Sequence, residues 1–330
     1  HPVAHSFPTR RSSDLRAELD ALPIRESGER PHASRDPALA HACGHDGHMA
    51  ALCGVAANRR ERPLVRGRLV LLFQPAEETG QGARAVLADS RWHGLEVDYV
   101  YAVHNLPGYA LGEVLLREGV VTVGSIGLII RLEGRTAHAA HPEQGISPAA
   151  TLSRLVPALA GLPTALSAAA PLAMVTVVHA RLGDLAFGTL PGSAEIMCTL
   201  RADDEGLLAE LRRLAGALVG REAHADGLHH RLSWVEEFPV TENDAEALAV
   251  TARAAAAAGL AAGEPVESPF RWSEDLGWFL REASGALVGI GSGYDQPVLH
   301  APDFDYPDAL LRPTIRLQEA ILVEHGLLAE

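Results

Sequence analysis

The sequence predicts an α/β protein: a mostly parallel sheet flanked by helices, interrupted by an inserted α+β unit. Three observations point there. Apolar strands alternate with helical segments over residues 16–118 and again over 239–330, the pattern of a buried parallel sheet. Between them, residues 119–238 read as βαββαβ, the order of a ferredoxin-like unit. Polar clusters fall at or just beyond predicted strand ends, where ligands bind in open α/β sheets.

The elements follow in order. RAELDALPI, Arg16–Ile24, is a strand end running into a loop, and His48–Asn58 is a short Ala-rich helix. GRLVLLFQPAEETG holds a buried strand, Leu69–Phe73, then a loop, with a helix around Gly82–Ser90. VDYVYAVHNLPG, Val97–Gly108, is a second buried strand ending in a polar pair. In the insert, IGLIIRLEG, MVTVVHARLG, SAEIMCTLRAD and HHRLSWVEEF are strands. GISPAATLSRLVPALAGL and EGLLAELRRLAGALVGREA are helices, the second with apolar residues at helical spacing. The chain closes with an Ala-rich helix, Ala245–Ala262, a strand GALVGIGSG and a helix over Pro307–Leu328.

The 330 residues suit about two domains. No apolar run approaches the ~18 residues that span a bilayer, and the net charge of −14 disfavours nucleic acid or an anionic membrane as partner. Three cysteines, an odd number in a long chain, argue against a disulfide framework and for a reducing, cytoplasmic setting. Cys53 and Cys198 sit among apolar neighbours and read as small core residues.

Residues 1–15 look foreign. HSFPTRRSSDL, His5–Leu15, has neither helical nor strand period, and it lacks the apolar core of a signal peptide. It back-translates in frame to a common sequencing-library adapter. The expectation is a non-native segment standing in place of a lost N-terminal part of the first domain, so it is set aside from fold reasoning.

HACGHDGHMA, His41–Ala50, concentrates three histidines, a cysteine and an aspartate. It reads as a metal site, a redox cysteine or a helix start capped by Asp46. Redox work is disfavoured because no second cysteine lies nearby. Glu77–Glu78, His104 and His300 are the other polar clusters. Singly, a Glu pair after a strand is a solvated loop and a lone His is a hydrogen-bonded structural residue. Together, imidazole, carboxylate and thiolate are the ligand types of zinc and its neighbours. Five ligands exceed one closed tetrahedral site and suit two metals sharing a ligand and a water. Adjacent glutamates leaving a strand point apart, so one can bind metal while the other serves as general base.

RAELDALP, HACGHDGH, LLFQPAEE, VHNLPG, GRTAHAAHPEQGISP, SED and LHAPDFDYPD occur in this order. Together they resemble the amidohydrolase branch of the aminoacylase and carboxypeptidase-G-like metallopeptidases, which includes hippurate and indole-acetyl-amino-acid hydrolases. The resemblance implies an aminopeptidase-like catalytic sheet, formed by 16–118 and 239–330, with 119–238 as a lid and dimerisation domain. It implies two divalent metals, Mn or Zn, with Co or Ni as alternatives. Cys43 would be shared, with His45, Glu78, His104 and His300 completing the set. Glu77 would be the general base, Asp20 a carboxylate orienting a ligand, and His138 the oxyanion donor, serving its own or a neighbour's site in a homodimer. Arg201 and Glu274 are candidates to touch substrate, each with a structural salt bridge as the alternative. His48 reads as a packing or supporting residue. Two departures stand out. Glu18 replaces the branch's usual Asp, and FGTLPG, Phe187–Gly192, replaces an Asn-Val-Ile-Pro stretch, with Gly188 at the Asn position. The expected activity is hydrolysis of N-acyl amino acids or similar small amides. A dipeptidase or carboxypeptidase on the same scaffold is the alternative, and a non-catalytic metal-binding dimer is a third reading, against which the intact glutamate pair speaks.

Overall fold

The structure is a computed structural model and describes residues 12–28, 30–166 and 172–329. In chain order the main elements are β1 (Ser12–Glu18), α1 (His45–Asn58), β2 (Arg68–Gln74), α2 (Gly82–Leu87), α3 (Ser90–His93), β3 (Tyr99–Pro107), β4 (Val114–Leu115) and β5 (Gly119–Thr122). Then come β6 (Gly124–Glu133), β7 (Ala137–His138), α4 (Ala149–Ala160), β8 (Ala173–Leu182), β9 (Thr189–Leu190), β10 (Ser193–Ala202), α5 (Glu205–Ala225) and β11 (His229–Phe238). The chain ends with β12 (Thr241–Asn243), α6 (Ala245–Ala257), α7 (Gly277–Leu280), β13 (Ser284–Gly293) and α8 (Leu311–Glu324).

Two compact units result. Among the described residues the first comprises those within 12–121, 241–269 and 274–329; the second comprises those within 122–240 and 270–273. The first holds a five-stranded sheet, β2-β1-β3-β13-β4, parallel except for β4. Its core joins Leu15, Tyr101, Val103, Val288 and Ile290 of the sheet to Leu52 and Val55 of α1 and Leu317 and Ile321 of α8. The second holds an antiparallel sheet, β11-β6-β10-β8, with chain order βαββαβ. One sheet face is written in alternating apolar residues: Ile126, Leu128, Ile130 and Leu132 on β6 meet Ile196, Cys198 and Leu200 on β10. These pack on Leu155 and Leu159 of α4 and Leu211, Ala215 and Leu218 of α5. Among the described residues no helix is long and apolar enough to cross a membrane.

Part of the N-terminal segment set aside from fold reasoning does take part in the fold. Residues 1–11 lie outside the described residues, but Ser12–Leu15 open β1, between β2 and β3, and all seven positions of the strand are buried. Ser and Asp are poor strand formers, so nothing local announces a strand there; its parallel neighbours impose it. The cost is visible: Ser13 Oγ and Asp14 Oδ2 are buried without a hydrogen-bond partner, and burial pushes the Asp14 carboxyl up to about 7.

Other boundaries move for local reasons. Helix α1 begins at His45, after a left-handed Gly44, so Asp46 lies in the first turn and is not the cap. The helix expected over Gly82–Ser90 divides in two, and the Asp89 side chain caps the second piece by accepting from the Arg91 amide. Helix α6 stops at Ala257, shortly before a left-handed Gly259, and α8 is shorter at both ends than expected. Cys198 is buried, but Cys53 is exposed, on the outward side of α1.

Candidate metal centre

The four parallel strands deliver the site at their carboxyl ends, where an α/β sheet opens to ligands. Asp20 follows β1, Glu77 and Glu78 follow β2, His104 lies near the end of β3, and His300 follows β13. Cys43 and His45 come instead from the turn into α1. Gly44 makes that turn possible. Its φ is 89°, and a Cβ there would stand 2.3 Å from Asn105 Oδ1, so only glycine lets the turn close onto β3.

All five expected ligands come together in two triads that share Cys43. Cys43, His45 and His104 offer ligand atoms within 4.8 Å of one another, and so do Cys43, Glu78 and His300. A third group, His45, Glu77 and Glu78, overlaps both. His45 Nε2 stands 4.0 Å from a carboxylate oxygen of each glutamate, and His300 Nε2 lies 3.4 Å from Glu78 Oε1. The two glutamates therefore converge on His45 and do not splay apart. They lie in a turn, where the strand rule of opposite faces no longer applies.

The rings are oriented from behind. His45 Nδ1 faces the Asp20 carbonyl at 3.1 Å and its carboxylate at 3.5 Å, and Asp20 Oδ2 also accepts from the Glu78 amide at 2.8 Å. His104 Nδ1 faces the Asn105 carbonyl at 2.9 Å, which makes Nδ1 the donor and leaves the Nε2 lone pair toward Cys43 Sγ, 3.6 Å away. His48 bridges Glu18 and Asn105, each at 2.7 Å, and sets its ring edge-on to His104. His300 is half-exposed and adopts a left-handed backbone (φ 66°), held by its amide donating to Ala42 O at 2.8 Å. A histidine in that region is strained by about 1 kcal/mol or more, a cost typical of functional positions.

The electrostatics call for a cation. Burial, reinforced by Glu78 and Glu77, holds the Cys43 thiol well above its usual range. That opposes a redox or nucleophilic thiolate, which needs electropositive surroundings. Burial pulls the His45 pKa down, but Asp20, Glu18 and Glu78 outweigh it and raise the value to about 9. Burial and the neighbouring His48 hold His104 down at about 3, a neutral imidazole suited to ligation. His45 Nε2 and Glu78 Oε1 are both buried with no hydrogen-bond partner. Buried polar atoms are almost always satisfied, so a metal fits this donor set.

The Peptidase family M20/M25/M40 profile matches residues 15–324. The chain belongs to this family. It is a metal-dependent hydrolase of amide bonds. An N-acetyl-L-cysteine deacetylase of Bacillus subtilis is 32% identical over 308 residues, covering 93% of this chain and 73% of the relative. A hippurate hydrolase of Campylobacter jejuni is 30% identical over 302 residues, covering 90% and 77%. Among solved structures, a dinuclear metal-binding peptidase of family M20 from B. subtilis superposes with a TM-score of 0.76 at 25% identity, covering 96% of this chain and 82% of that one.

Within this M20 chain the remaining candidates fall in three places. Glu274 is buried, 3.0 Å from Arg16 Nη2, and accepts from the Leu276 amide at 3.1 Å. The salt bridge weighed for it is present there. Arg201, in the second unit, donates to Ser273 Oγ at 2.9 Å and Arg271 O at 3.2 Å, and burial lowers its pKa. His138 is exposed on β7, a short ribbon with β9. Its Nδ1 accepts from the Ala140 amide at 3.0 Å, so the neutral ring carries its proton on Nε2.

Sequence reasoning passed over Arg16, Asn105 and Asp275. Arg16 is fully buried and pairs with Glu18, Glu274 and Asp275. The signal was a charged pair at alternate positions inside RAELD, which places Arg16 and Glu18 on one face of a strand.

Proposed function

We propose that the protein hydrolyses N-acyl amino acids at a dinuclear centre with Cys43 as the shared ligand. His45 and His104 would complete one side, and Glu78 and His300 the other. The observation that carries this is the pair of triads meeting at Cys43. When bound, two divalent ions lower the pKa of a shared water and polarise the substrate carbonyl. The mixed N, O and S donors suit zinc or manganese.

The chain's own residues do the rest. Glu77 takes the proton of the attacking water and passes it to the leaving amine nitrogen. Burial, then Glu274 and Asp275, push its carboxyl well above the usual range, toward the basicity a general base needs at neutral pH. Asp20 holds the His45 tautomer. His138 Nε2–H donates to the oxyanion, in its own or a second copy's site. Arg201 meets the carboxylate of the amino-acid product half, since Arg271 O and Ser273 Oγ, to which it donates, are neutral oxygens. The second unit acts as a ferredoxin-like lid and as the dimer contact, through the edge strand β8, whose exposed Val178 and Leu182 face outward. The three free thiols fit a cytoplasmic protein.

Metal content per chain tests the reading. After exchange into metal-free buffer and addition of manganese or zinc, elemental analysis should return two equivalents, and Cys43→Ser should lose both together. One equivalent in the wild type, or independent loss, overturns the shared-ligand arrangement.

A further inference from the structure

The turn between β2 and α2 carries Glu77 and Glu78, and it is tightly wound. Ala76 is left-handed (φ 57°), the Gly80 amide donates to Glu77 O at 2.7 Å, and the Gln81 and Gly82 amides donate to Ala76 O at 3.2 and 3.0 Å. At Gly82 the neck is so narrow that a Cβ would stand 1.8 Å from Pro75 O. One side chain closes that neck. Asp275 Oδ2 accepts from the Ala83 amide at 2.8 Å and from Gln74 Nε2 at 2.9 Å. Its Oδ1 accepts from Gln74 Nε2 at 2.9 Å and from Arg16 Nη2 at 2.6 Å. A single buried carboxylate thus ties the last residue of β2, the second residue of α2 and the interior strand β1.

Asp275 also lies beside Glu77 and Glu274, with carboxylate oxygens within 4.8 Å. Both of its oxygens are occupied by donors, so it is neither a ligand nor a base. We propose that Asp275 is a positioning residue: it clamps the neck of the Pro75–Gln81 turn and so fixes where Glu77 and Glu78 stand against Cys43 and His45. The inference rests on the roles given to Glu77 and Glu78 above. Active-site groups must be held within a fraction of an ångström, and this turn has no strand pairing of its own to hold them.

The test is Asp275→Asn in the full chain, loaded with manganese, with hippurate and N-acetylcysteine as probes. Asparagine keeps the size but offers one acceptor where Asp275 offers two. Loss of such a supporting contact costs about 10–100-fold in activity or metal affinity. The expected result is kcat lower by that factor, KM within about threefold, weaker metal binding, and faster amide hydrogen exchange confined to residues 75–83. Should Asp275→Asn fail to fold, Gln74→Met, which removes one donor of the clamp, reads the same quantities. A folded variant with unchanged kcat overturns the proposal, whatever its exchange. So does a fall in kcat with no change in exchange over 75–83. The exchange measurement needs no turnover, and Glu77→Gln run alongside reports separately on the general-base assignment.

Discussion

Strands β6 and β1 solve the same problem in opposite ways. β6 alternates, with Ile126, Leu128, Ile130 and Leu132 inward and Arg131 and Glu133 exposed. β1 is buried at every position yet carries Ser12, Ser13, Asp14, Arg16 and Glu18. The inward face of the alternating strand is stabilised by buried apolar area. The interior parallel strand is tolerable only because its charges are paired: Arg16 by Glu18 on the same strand and by Glu274 and Asp275, and Glu18 also by His48. Polar residues in a core strand mark either the back of a functional site or a defect. β1 holds both, with Arg16 and Glu18 toward its site end and Asp14 toward the other.

The largest test of that contrast is chemical. Glu77→Gln should lower kcat by about 10³-fold while leaving metal content at two equivalents, because a general base contributes 10²–10⁴-fold. Retained turnover would detach the glutamate pair from the polar network behind it.

Arg16→Met comes next. It leaves Glu274 and Asp275 without their cation and Glu18 with His48 alone, and unpaired buried charges cost about 3–5 kcal/mol. The thermal transition should drop sharply, with partial recovery at low pH as the carboxylates protonate. A melting point equal to wild type at pH 7 would show that the network is not held by Arg16.

In the second unit Ile130→Ala, in a fully buried position, should cost about 3 kcal/mol by cavity formation alone. Its effect should be the same at pH 5 and pH 8, because no titratable group lies on that face of β6. A pH-dependent penalty would blur the distinction between the strands.

Asp14→Val should be stabilising. The Asp14 carboxyl has a folded pKa of about 7 against an ordinary 3.8, so the neutral form favours folding. That stability is complete below the unfolded value and is lost as pH rises through 7. The valine variant should therefore gain of order 2 kcal/mol over wild type at pH 8 and little at pH 4, read from denaturant midpoints. An equal gain at both pH values would assign the benefit to packing and not to the charge.

The sequence by itself determined the α/β architecture and singled out the candidate ligands. Alternation in the second unit was legible because each strand has one wet face, so the period of two survives in the text. Cys43, His45, Glu78, His104 and His300 were legible because their side-chain chemistry is specific and their order matches a known family. What only the tertiary structure decided was everything that depends on a partner far along the chain. Ser12–Leu15 form a strand because Arg68–Leu71 and Tyr99–Tyr101 flank them. Glu77 and Glu78 converge because their turn is closed at its neck from Asp275. Glu274 is paired with Arg16. Such contacts join residues about 60 to 260 positions apart. No local period encodes them, because the energy that selects them is exchanged between segments that meet only in the folded chain.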